Sequence, residues 1–123
     1  DVGTHSESAC DYPEFGFEAA RLVSGKKAGR GIVICKSGIG MSIIANKLPG
    51  VRAGLCASVA DAVSARQHND TNVLVLAASK TSAAKARRIV KAWLDTRALK
   101  GRHARRVKKI RNLEKELYKK AKL

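Results

Sequence analysis

The run Ile32-Val33-Ile34-Cys35-Lys36-Ser37-Gly38-Ile39-Gly40-Met41-Ser42 sets a thiol at the end of an apolar stretch and follows it at once with small residues. A strand that enters such a turn and leaves it as a helix points backbone N–H groups at one spot, which suits a phosphate or a developing oxyanion. Cys35, at the strand end and beside a helix start, stands where a thiol is lowered toward the reactive thiolate. The plain alternative is that it is a small core residue. The glycine spacing matches neither GxGxxG nor GxxxxGK[ST], so neither nicotinamide nor nucleoside triphosphate chemistry follows from it.

Two further groups of residues have chemical capacity. His68-Asn69-Asp70-Thr71-Asn72 is a polar cluster in which a histidine could move protons near neutral pH and Asn69 could bind sugar hydroxyls, although a cluster of this kind is often only a turn. In Gly101-Arg102-His103-Ala104-Arg105-Arg106, Arg102 and Arg106 are four apart and share one helix face. That pair could grip one phosphate, or belong to a generic basic helix. Cys10, Cys35 and Cys56 are odd in number and widely spaced, with no histidines at ligand spacing. Neither a disulfide framework nor a metal site is signalled.

The elements that must position these groups alternate. Tyr12-Pro13 opens a helix whose Phe15, Ala19, Leu22 and Val23 recur at helical spacing until Ser24-Gly25. Gly31 to Cys35 is a β-branched apolar run, as expected of a strand buried on both faces. A helix over about Met41 to Lys47 follows, then a strand from Val51 to Cys56, a helix capped by Ser58 running through Gln67, and a strand from Asn72 to Ala77. Thr81 or Ser82 caps a helix to about Leu94, with Ile89, Val90 and Trp93 on or near one face. After a break at Lys100-Gly101 a last helix is predicted over Arg102 to Lys122, its narrow stripe marked by Val107, Ile110, Leu113 or Glu114, and Leu117. The pattern predicts an α/β parallel sheet with ligand sites at the carboxyl ends of its strands. Residues 1–100 are expected to form the domain and 101–123 a basic helix attached to it.

The 123 residues suffice for one core, and aromatics at 4% leave it to Val, Ile, Leu and Ala. The net charge of +15 is lopsided: residues 1–79 hold 8 Lys and Arg against 7 Asp and Glu, whereas residues 80–123 hold 17 against 3. Such clustering suits a polyanionic partner, nucleic acid ahead of membrane, through Lys100, Arg105, Lys108, Lys109, Arg111, Lys115, Lys119 and Lys120. A solvated helix face is the bland alternative. No run of 18 apolar residues and no secretory leader pattern is present, so no membrane partner is expected and a reducing intracellular compartment is, cytoplasm or organelle matrix.

The string CKSGIGMSIIANKLPGVRAGLC, followed by ARQHNDTNVLVL and GRHARRVKKI, with DYP at Asp11 to Pro13, strongly resembles the type B ribose-5-phosphate isomerases. The resemblance runs from Asp1 to about Ile110, and the HNDTN block favours them over the related galactose-6-phosphate isomerase subunits. It implies a Rossmann-like three-layer αβα sandwich and a cofactor-free aldose–ketose isomerase acting on a sugar phosphate through an enediolate. It implies Cys35 as the base, Ser37 and the amides of the Gly38 to Ser42 turn, with Gly40, as the anion hole, and His68 as the ring-opening residue. Tyr12 and Asn69 would contact substrate, Arg102 and Arg106 would hold its phosphate, and two subunits would share the site.

The chain also departs from that family. The family's first βα unit, which ends in a substrate-contacting Asp-His pair, has no counterpart here, so an open sheet edge is expected. An incomplete record, a strand supplied by another polypeptide, or loss of catalysis would each account for it. Lys80 stands where the family commonly has arginine, and a point charge grips a phosphate less well than a fork. With the basic last third, these departures support an alternative: a non-catalytic RNA-binding subunit of a ribonucleoprotein such as an organellar ribosome, which would favour the mitochondrion.

Overall fold

The computed structural model describes residues 1–121, so Lys122, to which the last helix was expected to run, and Leu123 lie outside the described residues. The elements are α1 (Tyr12–Ser24), β1 (Gly31–Cys35), α2 (Ile39–Ala45), β2 (Ala53–Leu55), α3 (Val59–Asn69), β3 (Val73–Ala77), a 3-10 turn (Ala78–Lys80), α4 (Ala83–Asp95) and α5 (Arg102–Ala121). β3 lies between β1 and β2, and both pairings are parallel, with Gly31 opposite Val73 and Ala53 opposite the same Val73.

All five residues of β3 are buried, which is why its sequence is a continuous apolar run. Alternation then sends its side chains to opposite faces. Val73 and Val75 join Val33, Ala20, Met41 and Ala45 beneath α1 and α2. Leu74 and Leu76 join Cys56, Ala62, Ile89 and Trp93 beneath α3 and α4. Helices therefore cover both faces of the sheet, the three-layer α/β arrangement expected. Each buried Val, Leu, Ile or Met among them contributes roughly 1.5–3 kcal/mol of transfer free energy, and the alanines less. Trp93 is fully buried, and its indole N–H donates to Thr71 Oγ1 at 2.9 Å, so the polar edge of the ring costs nothing there.

Several boundaries move. β2 is shorter than Val51 to Cys56 because side chains occupy the backbone groups ahead of it: Arg52 N donates to Asn72 Oδ1 at 2.8 Å. α2 begins at Ile39, not Met41, because Gly38 takes a left-handed conformation (φ 78°) that turns the chain directly into the helix. Ser82, not Thr81, caps α4, its hydroxyl accepting from Lys85 N at 3.2 Å. His68 and Asn69 are the last residues of α3, not part of a turn, and Asp70 ends the helix at φ 45°.

α5 is docked on the domain. Its inward face is Val107, Arg111, Glu114 and Tyr118: Val107 is buried, Arg111 pairs with Asp70 at 3.4 Å, Glu114 accepts from Gly50 N at 2.7 Å, and Tyr118 donates to Lys47 O at 2.6 Å. The expected stripe is thus only partly used, since Leu113 and Leu117 stay 64% and 67% exposed. Among the described residues β1 is an edge strand, and Ile32 and Ile34 stand half-exposed on it.

Candidate functional site

Cys35 is the last residue of β1 and is partly buried. The turn after it is locked at both ends. Lys36 O accepts from Ser79 N at 3.0 Å and from Ser79 Oγ at 2.7 Å, tying the turn to the end of β3, and Ser37 Oγ accepts from Ile39 N at 3.2 Å. Ser79 was not singled out in the sequence, because a serine beyond a strand carries no signal until the strands are paired. The same contact places Lys80 at this end of the sheet.

The two glycines of the turn are needed for different reasons. Gly38 has the positive φ, and a Cβ on it would overlap the Leu55 side chain. Gly40 lies under the ring of Tyr12, which a Cβ would strike. Tyr12, the first residue of α1, is therefore brought onto the turn. The Ile39 amide goes to Ser37, and the Ser42 amide closes the helix by donating to Gly38 O at 3.0 Å. Of the expected anion-hole donors, Ser42 thus has its hydroxyl rather than its amide to offer. Cys35, Ser37, Gly38, Gly40, Ser42, Tyr12 and Lys80 form one cluster at the carboxyl ends of the strands.

His68, Asn69, Arg102 and Arg106 form another. α3 runs antiparallel to the strands, so its last residues lie at the amino end of β3, and the five-residue strands separate that end from Cys35 by roughly 13–16 Å. There the rings of His68 and His103 stack at 4.2 Å with an interplanar angle of 12°. Partial desolvation lowers the His103 pKa, and the charges of His68, Arg102 and Arg106 push it the same way. Arg102 and Arg106, on the first turns of α5, are exposed. One chain therefore places these two clusters at opposite ends of its sheet.

Beside the second cluster, Asp70, which the sequence marked only as one member of the polar run, is the centre of an ion-pair network. Asp70 binds Arg66 at 2.9 Å and Arg52 and Arg111 at 3.4 Å each. The Arg66 guanidinium, itself buried, also donates to Thr71 O at 2.6 Å and Thr96 O at 3.1 Å. The residues proposed for a polyanion, Lys100, Arg105, Lys108, Lys109, Lys115, Lys119 and Lys120, are all exposed, while Arg111 is committed in part to Asp70. Among the described residues no cluster of three His, Cys, Asp or Glu could hold a metal, and no helix is long and apolar enough to cross a membrane.

Comparison with known proteins gives a consistent result. Residues 1–110 match the family model described as Ribose/Galactose Isomerase. Ribose-5-phosphate isomerase B of Escherichia coli is 42% identical over 114 residues, covering 93% of this chain and 76% of that protein. The structure of ribose-5-phosphate isomerase B from Clostridium thermocellum superposes with a TM-score of 0.91 at 44% identity, covering 95% of this chain and 79% of that one. The Mycoplasma genitalium enzyme, solved with bound ribulose-5-phosphate, superposes with a TM-score of 0.90 at 39% identity, over 94% and 78% of the two chains.

Proposed function

Because the chain belongs to the ribose/galactose isomerase family, as a sugar-phosphate isomerase of the type B ribose-5-phosphate kind, we propose that it interconverts ribose 5-phosphate and ribulose 5-phosphate at a site built by two copies of itself. The observation that carries this is Cys35 at the mouth of a glycine turn whose shape is fixed by Ser79 and Tyr12. The bound ribulose-5-phosphate of the Mycoplasma genitalium relative supports the substrate.

In this reading the His68 imidazole moves the ring-opening proton, and the open-chain aldehyde is then presented to Cys35. The Cys35 thiolate takes the proton from C2, the C–H electrons form the C1–C2 double bond, and the carbonyl oxygen becomes the enediolate oxygen. Ser37 and the Gly38 and Gly40 amides stabilise that charge. A proton then passes from the C2 hydroxyl to O1, and as the thiol returns its proton to C1 the double-bond electrons form the new C1–H bond and the O2 electrons form the C2 carbonyl. Arg102 and Arg106 hold the phosphate, with Tyr12 and Asn69 on the sugar. The need for two copies rests on the separation of the half-sites: Cys35 and His68 of one chain lie at opposite ends of its sheet. Leu113 and Leu117, left open on α5, offer apolar surface for that contact.

Mixing two inactive variants tests both parts. Cys35→Ala and His68→Ala are each expected to lose isomerase activity, and an equimolar mixture, after subunit exchange, to recover about a quarter of the wild-type rate, because half the dimers then carry one intact site of two. A mixture as inactive as its parents rules out the shared site, and an inactive wild-type chain rules out the enzyme.

One observation favours a second reading, RNA binding in a ribonucleoprotein, which would suit an organelle matrix. α5 holds nine Lys and Arg against two Glu, and it turns Glu114 inward while its basic residues other than Arg111 face away from the domain's ion pairs and are exposed. Binding to structured RNA is then expected to weaken steeply with salt, and no binding at low salt removes this reading.

A further inference from the structure

The three thiols stand in unlike places. Cys56 is buried in the core, where desolvation, with Asp61 adding to it, raises its pKa to about 11 and leaves it inert. Cys10 is exposed, Cys35 is partly buried, and both line one cavity of about 830 Å³ that runs along the open edge of β1.

Tyr12 connects the two. The Tyr12 ring lies on Gly40, in the turn that Cys35 opens. Cys10 precedes Tyr12 by two residues, so the two Cα atoms are at most about 7 Å apart. Residues 4–11 are exposed throughout, and the side-chain hydrogen bonds within them are local: Ser6 N donates to Thr4 Oγ1 at 3.3 Å and Ser8 N to Ser6 Oγ at 3.0 Å. A segment anchored at Tyr12 and held so lightly before it can swing at small free-energy cost.

We propose that Cys10 is a resolving thiol for Cys35, and that peroxide closes a reversible Cys10–Cys35 disulfide across the mouth of the turn. This rests on Cys35 being the base of the proposed reaction. The Cys35 thiolate attacks one peroxide oxygen, the O–O bond breaks, hydroxide leaves, and sulfur is oxidised by two electrons to the sulfenic acid. The Cys10 thiolate then attacks that sulfur, the S–S bond forms as the S–O bond breaks, and hydroxide leaves to become water with the Cys10 proton. Closure requires Cα atoms roughly 4.4–6.8 Å apart, a separation that movement of the segment before Tyr12 has to supply. The disulfide removes the base from proton transfer, and a dithiol restores it.

Peptide mapping by mass spectrometry after hydrogen peroxide treatment tests this, with isomerase activity followed in parallel. The wild-type chain is expected to yield a linked Cys10–Cys35 peptide pair and to recover its activity with dithiothreitol. Cys10→Ser is expected to keep the basal rate, to form no link, and to lose activity that dithiothreitol no longer restores, because the unprotected sulfenic acid proceeds to sulfinic acid. Absence of the Cys10–Cys35 pair, a Cys10–Cys10 link between chains in its place, or equal recovery in Cys10→Ser overturns the proposal. The mapped peptide does not depend on turnover, so an untreated chain without isomerase activity counts against the enzymatic reading alone.

Discussion

At the β2 edge of the sheet the Asn46 carboxamide donates to Ala53 O at 3.1 Å and accepts from Ala53 N at 2.8 Å, whereas along the β1 edge no strand lies beyond Ile32 and Ile34 among the described residues. The first edge is completed by a side chain acting as one more strand residue. The second presents an apolar strand with an open cavity on each face, one of about 830 Å³ beside Phe15 and Met41 and one of about 520 Å³ beside Val90 and Leu94. An unpaired apolar edge is a pairing template that folded proteins usually blunt. Among the described residues, then, a polar side chain completes the β2 edge, on the side where α5 also docks, while the β1 edge carries half-exposed Ile32 and Ile34.

Removing the charge that holds α5 and its neighbours should disturb the closed side most. Asp70→Asn keeps a residue that tolerates φ 45°, so the backbone is spared. It leaves Arg66, Arg52 and Arg111 without their carboxylate. Truncating a buried pair is more costly than the pair was worth, because the remaining charge is desolvated. With Arg66 retaining two carbonyl partners, a loss of roughly 2–3 kcal/mol in urea unfolding is expected. A loss below about 0.5 kcal/mol, the range of ordinary surface changes, would show that Asp70 is not the hub of the closed side.

Asn46→Ala should cost less, about 1–2 kcal/mol, since it removes two partly solvated hydrogen bonds to Ala53. Asn46→Asp separates the two, because it can still accept from Ala53 N but no longer donates to Ala53 O. It should fall between the wild type and the alanine variant. Equal stability for all three would mean that the β2 edge is protected by α5 rather than by Asn46.

Much of the closed core was legible in the sequence, and most of the closed side was not. α1 and β1 are read almost to the residue, because Pro13, the helical spacing of Phe15 to Val23 and the run to Cys35 are local signals. The turn at Gly38 and Gly40 is legible for the same reason. The role of Asp70 is not, because its three arginines come from β2's approach, α3 and α5, and only folding brings them to one carboxylate. The rotation of α5 is legible only in part: the spacing left Leu113 or Glu114 open and marked Leu117, and the hydrogen bonds to Gly50 N and Lys47 O turn Glu114 and Tyr118 inward. The separation of Cys35 from His68 is a matter of topology. Sequence order records that both are present, and only the direction of α3 against β3 shows that they face opposite ends.

The smallest effect is expected at the open edge, and it tests the comparison most directly. Ile34 is 52% exposed in the third position beyond Gly31, and Ile34→Thr gives up little burial, so a loss under about 0.5 kcal/mol is expected. Val75, one strand inward, is fully buried, and Val75→Thr keeps its shape while burying a hydroxyl, at a cost of roughly 1–3 kcal/mol. If Ile34→Thr costs as much as Val75→Thr, the β1 edge is covered in solution and the asymmetry between the edges is not a property of the working protein. If the two costs differ as expected, the apolar edge is a surface the folded chain does not need for its own stability. A partner strand laid along it would then add stability without repairing any existing contact.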